Sequence, residues 1–398
     1  MVPPILAHNA FVRATVTNFF FQLGLSGFVL LPLYIHAIGG TEVEIGVVMG
    51  LYSTVGIVCQ PIIGPSIDAI GRRPFMLLGV ALVLGSTVLA ALTASIGALA
   101  LVRAVQGIGF SAFFVASFSY VVDIVRPSER GWALGIYGSS GFVATAVAPL
   151  AGEWIIRHWG FPPLFVLSAL LTLVAGALVF QLEELRPGGS VPVRVSGLVR
   201  GGLEDVVHLH MLVTMFFGLG SGTIFAFLPT FAESLGVRTL SLFYTAYAVA
   251  AIGVRVFGGR LIDTHGRRAV IVPSMFVQAA ATGLMALLGL VLTRTSQTPV
   301  LPLLFVAGML SGGAHGFLYP GLAALATDLT PDARRAAVVG VFSAMFLVGQ
   351  AIGAFAFGYV THAVGYGPMW GALTAMLLAG SLLSMRLARP GGSQVVRV

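Results

Sequence analysis

The chain has 398 residues, of which 57% are hydrophobic and only 9% charged, with a formal net charge of +7. So few charges cannot solvate the surface of a water-soluble domain, where about a quarter of residues are charged. The basic excess is all arginine and scattered over short turns, which excludes a nucleic-acid-binding face, and the single cysteine, Cys59, excludes an intrachain disulfide and reads as a small core residue.

Apolar runs near 20 residues recur from end to end, each long enough to cross a hydrocarbon core of roughly 30 Å. Runs and breakers predict twelve spans, near 12–36, 42–64, 74–93, 96–121, 132–157, 161–181, 209–233, 239–260, 269–292, 300–326, 336–362 and 367–388. The start, "MVPPILAHNAFVR", lacks a basic leader and the first run is too long for a signal-peptide core, so no cleavable signal is expected. With a cytoplasmic N-terminus, sixteen arginines fall on the inner side and three on the outer side. The positive-inside rule then predicts a multi-pass plasma-membrane protein, a bacterial inner membrane being the expected site, with both termini cytoplasmic. The Gly-, Pro- and Arg-rich interval 183–208 divides the spans six and six, giving domains 1–182 and 209–398 joined by a cytoplasmic linker.

The halves repeat one another. "FVLLPLYIHAIG" (28–39) matches "FAFLPTFAESLG" (225–236), and "GPSIDAIGRR" (64–73) matches "GRLIDTHGRR" (259–268). "DIVRPSERGWALG" (123–135) matches "DLTPDARRAAVVG" (328–340), and Gly135, Ala144 and Ala148 answer Gly340, Gly349 and Gly353. A parallel duplication of a six-span unit points to a transporter with its site near the midplane between repeats.

Within the spans, Arg103 lies about seven residues into the fourth, where a guanidinium costs about 2.5–3.5 kcal/mol to insert. It either faces the interior or snorkels outward. Asn18 and Gln22 are four apart in the first span, Thr214, Ser221 and Thr223 lie in the seventh, and His315 and Tyr319 are four apart in the tenth. Each of these either contacts a ligand or bonds between helices. Arg255 is expected to snorkel to the cytoplasm. No Gly-rich phosphate loop, metal-ligand spacing or in-span acid pair is present, so neither an enzyme, a metal site nor a cofactor is expected.

The chain resembles the major facilitator superfamily along all twelve spans. The loop signature G-x-x-x-D-(R)-x-G-R-R is matched by Gly64, Asp68, Gly71, Arg72 and Arg73, and again by Gly259, Asp263, Gly266, Arg267 and Arg268; Ala69 and Thr264 replace its first arginine. Arg103, Gln106, Gly107 and Gly109 match R-x-x-Q-G-x-G, while Gly135, Ala144, Ala148, Pro149, Gly152 and Glu153 retain a degenerate antiporter motif. The resemblance implies an all-α membrane protein whose twelve helices form two pseudo-symmetric six-helix bundles, alternating access by rocking. It implies a cytoplasmic latch in which each aspartate faces the other half, the arginines pair with Asp123 and Asp328, and closure of the inner side stabilises the outward-facing state. It places the first, fourth, seventh and tenth spans around the substrate, making Asn18, Gln22, Arg103, Gln106, Thr223, His315 and Tyr319 candidate cavity residues. The expected function is proton-coupled export of a small amphipathic or hydrophobic compound by a monomer among membrane lipids. Uptake or facilitated diffusion of an organic anion, with Arg103 as counter-charge, and lipid translocation are the alternatives. Glu153, Arg103 and His315 are the proton-coupling candidates, with Glu153 and Arg103 expected to pair.

Overall fold

A computed structural model describes residues 9–126, 129–184, 208–237, 239–290, 300–328 and 335–387. Among them every regular element is helical. The first half comprises α1 (Asn9–Ser26), a 3-10 turn (Gly27–Leu30), α2 (Leu31–Ala37), α3 (Glu42–Ile70), α4 (Arg72–Leu92), α5 (Ile96–Ile124), α6 (Arg130–Trp159) and α7 (Phe161–Phe180). The second comprises α8 (Leu209–Ser234), α9 (Ser241–Thr264), α10 (Arg267–Leu290), α11 (Val300–Asp328), α12 (Arg335–Val364) and α13 (Tyr366–Ser384). With α1 and α2 taken as one span, twelve helices among the described residues are long and apolar enough to cross a membrane. The expected linker, apart from Glu183, Glu184 and His208, lies outside the described residues.

Local chemistry fixes where these helices begin and end. Pro32 sits in the first turn of α2, where its missing N–H breaks no helical bond, so the first span is interrupted there rather than continuous. Thr41 and Glu44 form a reciprocal capping box that starts α3. The helix then runs through the charged ten-mer to Ile70 and stops at Gly71, whose φ of +118° suits only glycine. The matching ten-mer is helical to Thr264 and turns at Gly266, with φ +85°. The spans expected to stop near 64 and 260 therefore continue into the ten-mers, to Ile70 and Thr264, before a positive-φ glycine turns the chain.

Close packing uses the motif glycines. A Cβ on Gly107 would lie 2.5 Å from the Tyr52 carbonyl oxygen of α3, and one on Gly109 would lie 2.9 Å from the Gly79 carbonyl oxygen of α4. The two glycines of one short motif thus seat α5 against two different neighbours.

Two faces are distinguished below: the motif face, where the ten-mers lie, and the far face opposite. The buried core is one cluster across both halves toward the far face, joining Leu31, Ile35, Ile45 and Val48 to Phe227, Leu228, Phe231 and Phe357. Toward the motif face it divides into a first-half cluster around Phe21, Phe113 and Tyr120 and a second-half cluster around Phe217, Ile271 and Leu318. Among the described residues the halves share one buried core at the far face and keep separate cores toward the motif face.

Candidate functional site

At the motif face each half carries the same clamp. Arg72 Nε donates to Asp123 Oδ2 at 3.0 Å, and Arg267 Nε donates to Asp328 Oδ2 at 3.0 Å. Arg72 Nη1 also donates to the Ile67 carbonyl at 3.4 Å and Arg267 Nη1 to the Ile262 carbonyl at 3.0 Å, so each arginine closes the helix end that precedes it. Arg73 Nη2 donates to the Phe180 carbonyl at 2.8 Å and Arg268 Nη2 to the Met385 carbonyl at 2.6 Å, tying in the last helix of each half. The Glu184 carboxylate accepts from the backbone N–H groups of Arg72 and Arg73, an anion on the N-terminus of α4. The Arg72–Asp123 and Arg267–Asp328 pairs each join two helices of the same half. The side chains of Asp68 and Asp263 lie outside those described.

The far face is held by contacts between halves. Glu153 on α6 accepts from the backbone N–H of Ser241 at 3.0 Å and from its hydroxyl, capping the start of α9. His36 Nδ1 lies 3.2 Å from Glu233 Oε2, and His362 Nδ1 lies 3.3 Å from Glu42 Oε2. Backbones also meet, since a Cβ on Gly46 would lie 2.5 Å from the Ala354 carbonyl oxygen of α12.

Between the halves lies a cavity of about 240 Å³, lined among others by Gln22, Tyr52, Ser53, Arg103, Phe225 and Gln350. Ser53 donates to Gln350 Oε1 at 3.1 Å across the halves. Arg103 is 7% exposed; its Nη1 donates to Gln106 Oε1 at 2.9 Å, its Cζ lies 4.3 Å from the Tyr52 ring centroid, and its Nε has no partner. The close approach at Gly107 brings Tyr52 under the guanidinium. Among the described residues no carboxylate pairs with it.

The predicted polar residues divide accordingly. Gln22 and Arg103 line the cavity. Asn18 donates to Ser140 Oγ at 2.8 Å and to the Tyr137 carbonyl at 3.3 Å, fastening α1 to α6. Gln106 is fully buried behind Arg103, Thr223 donates to the Leu219 carbonyl of its own helix, and His315 and Tyr319 stack with each other in the second half. Arg103 and Glu153 are not brought together: Ser241 satisfies the carboxylate, while Gln106 and Tyr52 hold the guanidinium. Arg255 does not snorkel outward either, because an aromatic face on the opposite half holds it, its Cζ lying 4.6 Å from the Phe142 ring centroid. Ser53 and Gln350 lie on the second and eleventh spans, outside the four that the family resemblance places around the substrate, and the sequence signal for Gln350 is an amide within an apolar run.

A twelve-span duplicated bundle with a cavity of mixed polar and apolar lining between its halves is the architecture of a secondary transporter. The sequence profile of the Major Facilitator Superfamily matches residues 14–205 and 210–396, and the chain belongs to that family. It is 24% identical to the staphylopine export protein of Staphylococcus aureus over 95% of this chain and 96% of that one. It is 32% identical to the inner membrane transport protein YajR of Escherichia coli, over 46% of this chain and 39% of that protein's length. It is 31% identical to a chloramphenicol resistance protein of Pseudomonas aeruginosa over 64% of this chain and 62% of that one. Its fold is similar to that of the nucleoside transporter NupG (D323A mutant), with a TM-score of 0.81 at 14% identity over 96% of this chain and all of that one. The protein is a multi-pass membrane transporter of small molecules.

Proposed function

We propose that the protein exports a small amphipathic organic anion by alternating access, the motif face being cytoplasmic and the membrane a bacterial inner membrane. The observation that carries this reading is Arg103, a guanidinium facing the cavity with an unpartnered Nε and, among the described residues, no carboxylate to neutralise it. A buried charge is retained in a membrane where it serves a pathway, and the missing partner is an anion. Tyr52, Phe28 and Phe225 supply apolar surface for the rest of the molecule. Export is favoured by the similarity to proteins named for staphylopine export and chloramphenicol resistance. The reading moves the anion-binding role of Arg103 from the uptake alternative into the export one. The charge clusters of the ten-mers and the arginine bias support the cytoplasmic assignment of the motif face. Proton coupling is assigned to Glu153 at the far-face seam, where protonation removes the charge that caps α9.

The test is counterflow in proteoliposomes against a panel of aromatic carboxylates and their neutral amides. The acids should exchange and the amides should not, and Arg103→Gln should abolish the difference. Equal exchange of acids and amides by the unaltered protein would refute an anion site.

A further inference from the structure

A second guanidinium stands in the interior, on the other half. Arg255 on α9 reaches across the seam to α6: its Cζ lies 4.6 Å from the Phe142 ring, and its Nη1 lies 3.1 Å from where a Cβ on Gly138 would be. Its Nε is buried without a partner, and it pairs with no carboxylate among the described residues. Beside it His315 presents a buried Nδ1 that also has no partner. The His315 ring is walled by aromatic rings from three helices, at centroid distances of 5.7 Å to Phe142, 5.0 Å to Phe217 and 5.8 Å to Tyr247.

From these residues the geometry points to a second anion-binding station, made by Arg255 and His315 and walled by aromatic rings, for the carboxylate of an amphipathic aromatic acid. It rests on the anion reading of the Arg103 cavity but is a separate place. Neither Arg255 nor His315 lines that cavity, and the two arginines belong to opposite halves. Arg255 stands nine residues before the motif-face end of α9, about 14 Å at 1.5 Å per residue, whereas Arg103 stands 21 residues before the motif-face end of α5, about 32 Å. An anion entering from the motif face meets Arg255 first and Arg103 second. Two buried polar atoms without partners, Arg255 Nε and His315 Nδ1, the latter a donor in its Nδ1–H tautomer, form a costly arrangement. An incoming carboxylate supplies the missing acceptor to both, and the rings supply its apolar contacts. Phe142 sits on the opposite half from Arg255, so filling this station also touches the seam that must open and close.

The experiment is equilibrium dialysis of 1-naphthoate against the purified full-length protein in nanodiscs, with 1-naphthamide as the uncharged probe of the same shape. The unaltered protein should bind two naphthoates per chain, Arg255→Gln one, and Arg103→Gln one, with naphthamide binding unchanged by either substitution. Two naphthoates bound by Arg255→Gln but one by Arg103→Gln would overturn the second station and leave the cavity reading intact. Two bound by both variants would overturn both. Arg255→Lys covers the case in which the glutamine variant does not fold: it keeps the charge, loses the planar donor fork, and should weaken one site about tenfold. Unchanged affinity at both sites in that variant would refute the role of Arg255.

Discussion

Glu153 and Ser241 join the two halves at the far face: one carboxylate on α6 takes both the backbone N–H and the hydroxyl of the first residue of α9. The bond is between a charge and a helix N-terminus, so it combines a charge-assisted hydrogen bond with the helix dipole. Uncharging the carboxylate weakens both at once. A Glu153→Gln protein should therefore open its far face more often.

Labelling measures this directly. In a Cys59→Ala background, a cysteine at Ser53, in the seam between the halves, should react about two- to tenfold faster with a membrane-impermeant maleimide from the far face when Glu153 is glutamine. The gain should shrink as acid protonates Glu153 in the parent, since the carboxylate then resembles the amide. An equal rate in both proteins at neutral pH would remove Glu153 from the gate.

Two glycines separate packing within a half from packing between halves. A Cβ on Gly46 meets the Ala354 carbonyl oxygen of the other half, whereas one on Gly109 meets the Gly79 carbonyl oxygen of its own half. Gly46→Ala should leave the thermal midpoint nearly unchanged while disfavouring far-face closure and slowing transport. Gly109→Ala should destabilise the first half itself by about 1–3 kcal/mol. Thermal unfolding in detergent and the labelling assay together tell the two apart.

The motif-face clamps are partly exposed, Asp123 at 39% and Asp328 at 52% of the side chain. Such pairs contribute about 0–1 kcal/mol each, so Asp123→Asn and Asp328→Asn should each lower stability by no more than about that much. Asp68→Asn and Asp263→Asn should instead lower the transport rate with the fold intact. Wild-type transport in both of the latter would reduce the ten-mers to topology signals.

The spans were legible because lipid leaves little choice: twelve apolar runs and their glycine and proline breaks locate the twelve membrane-length helices found among the described residues. The clamps were legible too, since Arg72 with Asp123 and Arg267 with Asp328 recur in matching order. The seam was not. Glu153 and Ser241 are 88 positions apart, and no periodicity announces that the end of α6 meets the start of α9. Arg255 was misplaced because distance along a helix tells depth but not direction, and a ring on the other half decides where the guanidinium points. Ser53 and Gln350 belong to helices that repeat symmetry alone does not put at a site.

Orientation is checked independently. A reporter fused after residue 190 should behave as cytoplasmic, and a cysteine at Ser296 should react from outside. Protection of position 296 in intact cells would invert the assignment of both faces.

Arg103 and Arg255 also make the protein an electrical device. An elementary charge crossing the membrane field exchanges about 2.3 kcal/mol per 100 mV, and Arg103 and Arg255, one on each half, pair with no carboxylate among the described residues. On the proposed anion-export reading, voltage should act more strongly on the empty carrier than on the loaded one, whose bound anion cancels part of that charge. The two legs of the transport cycle should then differ in their dependence on membrane potential.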